Sequence, residues 1–448
     1  MTAVLQRPTR RAISDLPGPR GVPGAGNALQ LRNTRLHLTL EHWARRHGPV
    51  FRFAIGPMPV VAFAEPDAIN EILRERPEGY RRWREVEDVF REVGIHGVFS
   101  AEGGEWRTQR RLAVMALNTN HLHRYFDVIR VATERLRGRL DAAARSGESF
   151  ELQRAYMAFT TDVASALAFG QDLNTVEHES ELQGHIERVF PMLSRRINAP
   201  FPYWRYVKPP ADRAAERSLV EVRRAVEGFI AAARARMERR PELYAQPENF
   251  LESMLAAQRE GRYSDEEVFG NTFQMLLAGE DTTAHSLSWA SYFIARDPAL
   301  QRRLAAAAPV IEDPETTFEY GDAVLRETMR LKSVAPLIFV EPLEDVTVAG
   351  VDLPRGTRVI ALTRYAGAHG AATFDPERER DQKRFLTFGA GARFCPGRNL
   401  ALLEARTALA MLTRHFEITL DPAAPPVRER FGFTMQPTGL RVHVRARS

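Results

Sequence analysis

The chain reads as a mainly α protein with a smaller β portion. Three observations carry this. Between about 105 and 330 the sequence is rich in Ala, Leu, Arg and Glu, with apolar residues at helical spacing. Two β-rich stretches, 50–63 and 346–362, lie toward opposite ends of the chain. Helical pattern returns after Arg398 and gives way to a strand-like end, Leu440–Val444. With 448 residues, the chain can build a large core and enclose a cavity.

The elements follow in order. Residues 1–30 are punctuated by Leu16-Pro17-Gly18-Pro19 and Val22-Pro23-Gly24, which suits an ordered or semi-rigid leading segment rather than a domain. Val50–Gly56 and Pro59–Phe63 form a hairpin around Gly56-Pro57. Gly104–Arg111 opens a helix on which Trp106 and Arg110, four apart, share a face. Both side chains donate hydrogen bonds and suit an anionic group. Ser264-Asp265-Glu266-Glu267 is a capping box. The helix it starts runs to about Ala295, roughly 45 Å. Glu327 and Arg330, three apart on the next helical pattern, can pair. Val346–Leu362 is a β stretch broken by Leu353-Pro354-Arg355-Gly356. The two β regions are expected to pair with each other.

Charge and composition exclude several classes. The net charge of +5 is small beside 62 basic and 57 acidic residues of interspersed sign, and no nucleic-acid motif accompanies it. No apolar run approaches the ~18 residues of a membrane helix, so no membrane anchor is expected. The N-terminus lacks the apolar core of a signal peptide. One cysteine can form neither an internal disulfide nor a zinc site of several thiolates, and a cytoplasmic location is expected.

That cysteine, Cys395, is a buried bystander, a nucleophile, or a single axial ligand to a metal cofactor. Its surroundings favour the ligand. Gly391 and Gly397 let the backbone turn tightly and approach a flat ring. Arg393 can pair with a carboxylate on the cofactor's edge. Backbone N–H groups near the sulfur stabilise a thiolate. Midway along the long helix lies Ala278-Gly279-Glu280-Asp281-Thr282-Thr283. Its small residues leave room for a bulky flat group, and Gly279, Asp281 and Thr282 are poor helix formers in an interior. Local preference broken in this way points to function. The Thr282 hydroxyl can bond the carbonyl four residues back, or point inward to hold water or dioxygen.

Phe388-Gly389-Ala390-Gly391-Ala392-Arg393-Phe394-Cys395-Pro396-Gly397 resembles the haem-binding loop of the cytochrome P-450 family, Phe-x-x-Gly-x-Arg-x-Cys-x-Gly, at all five fixed positions. The long-helix segment resembles that family's Ala/Gly-Gly-x-Asp/Glu-Thr-Thr. Trp106 and Arg110 are similar to its Trp-x-x-x-Arg, and Glu327 and Arg330 to its Glu-x-x-Arg. Arg378, in Phe374-Asp375-Pro376-Glu377-Arg378, is similar to its Pro-x-Arg element.

The resemblance implies a cytochrome P-450 fold, with residues 31–448 forming one catalytic domain and the long central helix over haem b (iron protoporphyrin IX). It implies Cys395 as the iron ligand, and Trp106, Arg110, Ala278, Gly279, Phe388, Gly391, Arg393 and Gly397 as cofactor contacts. Asp281 becomes the acid and Thr282 the alcohol of a proton relay. Glu327, Arg330 and Arg378 become a buried structural network. The implied reaction is monooxygenation of an apolar small organic molecule, of the kind met in secondary metabolism. Electrons come from a separate ferredoxin or flavodoxin-type donor with its reductase, because no nucleotide fingerprint is present. Arg107, Arg111, Arg398 and Arg406 are candidates to receive that donor. Implied pocket residues include Phe99, Phe190, Met275, Leu337, Ile338, Phe433 and Thr434. A peroxide-driven oxidase of the same fold and a non-catalytic haem-binding gas sensor or carrier are the alternatives; intact Asp281-Thr282 argues for O₂. One departure stands out. Residues 337–345 hold no arginine where many members place a propionate-binding one, and His96 is a candidate to compensate.

Overall fold

The computed structural model describes residues 10–447 except 119–121, 124, 179, 380 and 382. The protein is mainly helical with small sheets, and the chain divides into two compact units. One comprises residues up to Val86, Ala335–Ala372 and a segment ending at Phe394; the other comprises Glu87–Val334, Thr373–Glu379 and everything from Cys395 onward.

The first unit is built on a five-stranded sheet. Strands β1 (Val50–Ile55) and β2 (Met58–Phe63) form the hairpin around Gly56, which takes the positive φ its turn requires. Strand β2 pairs in parallel with β7 (Arg358–Ala361), Val60 opposite Arg358. The pairing of the two distant β regions expected from sequence is this one. Beyond β7 the order continues through β4 (Ile338–Pro342) to β3 (Tyr80–Arg82). Between β4 and β7 come two short strands, β5 (Val346–Val348) and β6 (Val351–Leu353), paired as their own hairpin. Val61, Phe63, Val340 and Val359 meet Ile69, Ile72 and Leu73 of the helix Pro66–Arg74 in one buried cluster. The Glu65 carboxylate caps that helix by accepting from the amides of Asp67 and Ala68. Leu16 is part of the same core and Ile13 packs against it, so this part of the leading segment belongs to the unit.

The second unit is helical. Its axis is the helix Asp265–Arg296, opened by the capping box of Ser264 and Glu267. It packs on Leu152–Phe169, on Glu319–Leu331 and on Arg398–His415. The poor helix formers do not break it. Instead the hydroxyls of Thr272, Thr282, Ser286 and Ser288 each donate to the carbonyl four residues back, at 2.6–3.0 Å. Strands β8 (Phe416–Leu420), β9 (Arg428–Phe431), β10 (Met435–Thr438) and β11 (Val442–Ala446) form two antiparallel pairs, β8 with β11 and β9 with β10, the second a hairpin.

Candidate active site

Between Val268 and Ser291 the long helix is buried on all sides except along one stripe, where Ala278 is exposed and Met275, Gly279 and Thr282 are half-exposed. Positions 275, 278, 279 and 282 share one helical face. An open face in the middle of a core helix marks a cavity wall. Gly279 has a further reason to be glycine. A Cβ there would come within 2.6 Å of Ala164 Cβ, so its small size lets the two helices approach.

Beside the stripe lies Asp281, 7% exposed. The Thr434 hydroxyl donates to its Oδ2 at 3.4 Å and also lies 3.4 Å from His285 Nδ1. Burial holds the Asp281 carboxyl well above the ordinary carboxylate range, and a neighbouring Glu187 adds to this. Burial pushes His285 down to about 3, so the ring is neutral. Thr283 bonds Glu404 on the helix Arg398–His415, whose carboxyl burial raises to about 8.

Phe433, next to Thr434, sits in the β9–β10 turn with φ +117, unusual for a bulky residue. Its ring meets those of Phe99, Phe190 and Phe90 at centroid distances of 5.6, 5.2 and 6.2 Å. The structure thus brings Phe99, Phe190 and Phe433 together, with Thr434 turned to the acid. The Gln274 side chain fixes this pocket wall by accepting from Phe99 N at 2.8 Å.

Cys395 begins the last segment of the second unit and is half-buried. Burial raises its thiol. The Gly397 amide, donating to the sulfur, and the nearby Arg110 guanidinium act in the opposite direction. Arg110 and Trp106 are both buried on the helix Gly103–Ala116. A sulfur with an N–H donor and a cation beside it, in a unit whose core helix carries an open stripe of small residues, fits a haem thiolate.

The first unit holds the rest of the cysteine loop. Gly391 has φ +69, and a Cβ there would lie 2.6 Å from Leu73 O and 2.7 Å from Arg74 Cα. Only glycine fits against that helix end. Phe388 and Arg393 belong to the same loop and are half-buried. Leu337 is buried, and Ile338 packs against the sheet core. On strand β4 the charged residue is Glu341, ion-paired at 3.5 Å with both Arg81 and Arg84. His96, in the second unit, bonds Glu105 at 2.9 Å.

Glu327 and Arg330 form a buried two-pronged pair, both bonds 2.7 Å. Asp375 N donates to Glu327 at 3.0 Å, and Arg378 lies 3.5 Å from the same oxygen. Of the surface arginines, Arg107, Arg111 and Arg398 are exposed. Arg406 is clamped by Asp322 through two bonds of 2.8–2.9 Å, which removes it from the proposed donor surface.

Sequence reasoning missed Glu280, His285 and Glu187 around the acid, and Glu404 bonded to Thr283. For Glu280 a signal was present: it aligns with Leu276, Leu277, Ala284 and Leu287 on one helix face.

Among the described residues, no helix is long and apolar enough to cross a membrane. The family pattern described as cytochrome P-450 matches residues 16–444. The Arabidopsis thaliana protein LUTEIN DEFICIENT 5, chloroplastic, is 26% identical over 473 aligned residues, covering 97% of this chain and 78% of its own. The mitochondrial 25-hydroxyvitamin D-1 alpha hydroxylases of Homo sapiens and Rattus norvegicus are 28% and 27% identical. They cover 94% and 93% of this chain, and 90% and 91% of their own lengths.

Proposed function

The chain belongs to the cytochrome P-450 family of haem-thiolate monooxygenases, and from that premise we propose a specific reaction and a role for each site residue. It uses O₂ to hydroxylate, or otherwise oxidise, an apolar small organic molecule. When bound, the haem supplies dioxygen binding and, with thiolate donation, cleavage of the O–O bond. Cys395 would be the thiolate ligand: burial raises its thiol, the Gly397 amide and Arg110 act against that rise, and bound iron would take the sulfur as the anion. Trp106 and Arg110, buried donors on one helix of the second unit, would hold the propionates in place of a strand arginine. The open stripe of Met275, Ala278, Gly279 and Thr282 would face the haem and the substrate space.

The observation that carries this reading is the pairing of a buried acid, Asp281, with Thr282 on the open stripe of the helix. Asp281 holds a proton because burial raises it. Thr282, at the cavity edge, passes that proton inward and keeps water ordered. The aromatic cluster around Phe433 favours an apolar substrate. Two relatives are named as 25-hydroxyvitamin D-1 alpha hydroxylases, which supports hydroxylation of a small organic molecule. The electron donor is a separate ferredoxin or flavodoxin-type protein that meets Arg107, Arg111 and Arg398. Residues 31–448 act as one catalytic domain.

The reduced, CO-bound protein is expected to show the thiolate-type band that names the family, and Cys395→Ser to abolish it. A thiolate-type spectrum persisting in that variant would sink the ligand assignment. Thr282→Ala is expected to retain haem and substrate while diverting reductant into peroxide. Unchanged coupling of reductant to product would refute the hydroxyl's role.

A further inference from the structure

Glu280 is 0% exposed, and neither of its carboxylate oxygens has a hydrogen-bond partner among the described residues. Its helix is otherwise well satisfied there; Thr160 even donates to the Glu280 carbonyl at 2.7 Å. An ionised carboxylate is not kept in such a place; it takes up a proton. Burial, Asp281 and Glu187 all act on Glu280 in that direction. Two neighbouring acids that both sit in low dielectric do not ionise together, so the pair retains a proton near neutral pH. Glu187 differs. It reaches solvent from the helix Glu181–Ile197, one turn before Phe190, whose ring stacks at 5.2 Å on Phe433 next to Thr434, the hydroxyl that donates to Asp281; its charge acts on both Glu280 and Asp281. Partial burial raises the Glu187 carboxyl; Arg154 and Arg188 nearby oppose that rise, and Glu151 adds to it. The other titratable groups around this stretch are His285, beside Thr434, and Glu404, bound by Thr283.

We propose that Glu280 stands behind Asp281 as a second proton donor, and that Glu187 is where this pair exchanges protons with solvent. The proposal rests on the reading of Asp281 and Thr282 as the proton supply. The step is a proton transfer alone. The O–H bond of the Glu280 carboxyl breaks, an O–H bond forms on the Asp281 carboxylate, and the negative charge moves to Glu280. Water then reprotonates Glu280 by way of Glu187. No electron moves in this step; the two electrons of each turnover come from the donor protein. Monooxygenation consumes two protons for each O₂, one oxygen entering product and the other leaving as water. A store behind Asp281 lets the second proton follow without waiting on solvent.

Glu280 and Glu187 act through Asp281, so the test needs readouts that a structural role would not move. Infrared difference titration of the substrate-free ferric holoenzyme is expected to show a protonated buried carboxyl at pH 7. The Glu280 component of that absorption should vanish in Glu280→Gln, leaving those of Asp281 and Glu404. In Glu187→Gln the titration of the Glu280 component should move to lower pH, because a like charge has been removed. Turnover of Glu280→Gln is expected to fall about tenfold at pH 8 with an enlarged solvent isotope effect, and less at pH 6, where water reprotonates Asp281 faster. Haem content and the substrate-induced spectral change should stay as in wild type. Should Glu280→Gln fail to fold, the surface variant Glu187→Gln carries the same test through its shifted pH profile.

Undiminished carboxyl absorption in Glu280→Gln at pH 7 would overturn the proposal. So would wild-type turnover and pH dependence in Glu280→Gln or Glu187→Gln while Asp281→Asn is slow. Wild-type turnover in Asp281→Asn itself would overturn the underlying relay reading as well.

Discussion

Glu327 and Glu280 are both buried glutamates on helices of the same unit, 5% and 0% exposed, yet their surroundings are opposite. Glu327 receives two bonds from Arg330, one from Asp375 N and an ion pair from Arg378. Glu280 receives none from any described residue. A charge matched by a fork of donors belongs to the architecture, since its desolvation is offset on the spot. A carboxyl left without donors detracts from stability, and its retention makes sense only through what its proton does. Glu404 lies between them: buried, with one hydroxyl partner and a carboxyl raised to about 8.

Removing one member of each set should separate the cases. Glu327→Ala strands the Arg330 guanidinium and is expected to cost ~3–5 kcal/mol, the largest effect, read by denaturant unfolding of the holoenzyme. A loss below ~1 kcal/mol would erase the contrast with Glu280. Next comes Glu404→Gln, whose effect should depend on pH. The wild-type carboxyl ionises near the ordinary range when unfolded but only around 8 when folded, so its contribution is intact at pH 4 and is lost as pH rises toward 8. The glutamine variant should therefore gain on wild type by a few kcal/mol between pH 5 and pH 9. A pH-independent difference would contradict the raised carboxyl.

Glu280→Leu has the opposite sign to Glu327→Ala. Replacing an unpartnered buried carboxyl by an apolar side chain is expected to stabilise by ~1–3 kcal/mol while slowing turnover, seen as a raised Tm beside a lowered kcat. Destabilisation would mean that a hidden partner holds it. The smallest effect belongs to Arg378→Ala. Arg378 is half-exposed and 3.5 Å from Glu327, so ~0.5–1 kcal/mol is expected by the same unfolding measurement.

Much of this was legible in the sequence because it is local. Ser264 and Glu267 announce the start of the long helix three residues apart, and Gly56-Pro57 announces the hairpin. The cysteine loop is legible because Gly391 tolerates no other side chain beside Leu73 and Arg74. What was not legible depends on partners far along the chain. Nothing near β2 specifies that it pairs in parallel with β7 almost three hundred residues later. Strand β4 was read as a stretch lacking an arginine; its Glu341 faces two arginines from residues 81–84. Arg406 looked like surface charge until Asp322 met it. Gly279 was read as room for a ring, and Ala164 supplies an equal reason. Periodicity gives a residue's face, not what lies opposite it.

Phe433 carries a consequence for redesigning what the pocket accepts. Carving space into an aromatic cluster ordinarily trades stability for volume, because each ring removed forfeits packing. At this position the φ of +117 charges a side-chain-bearing residue ~1–3 kcal/mol of strain that glycine would not bear. Phe433→Gly therefore opens the space between Phe99 and Phe190 and relaxes the turn in a single change. Most positions force an engineer to choose between a roomier pocket and a sturdier protein; residue 433 is where a library of bulkier-substrate variants can begin with much of that conflict cancelled.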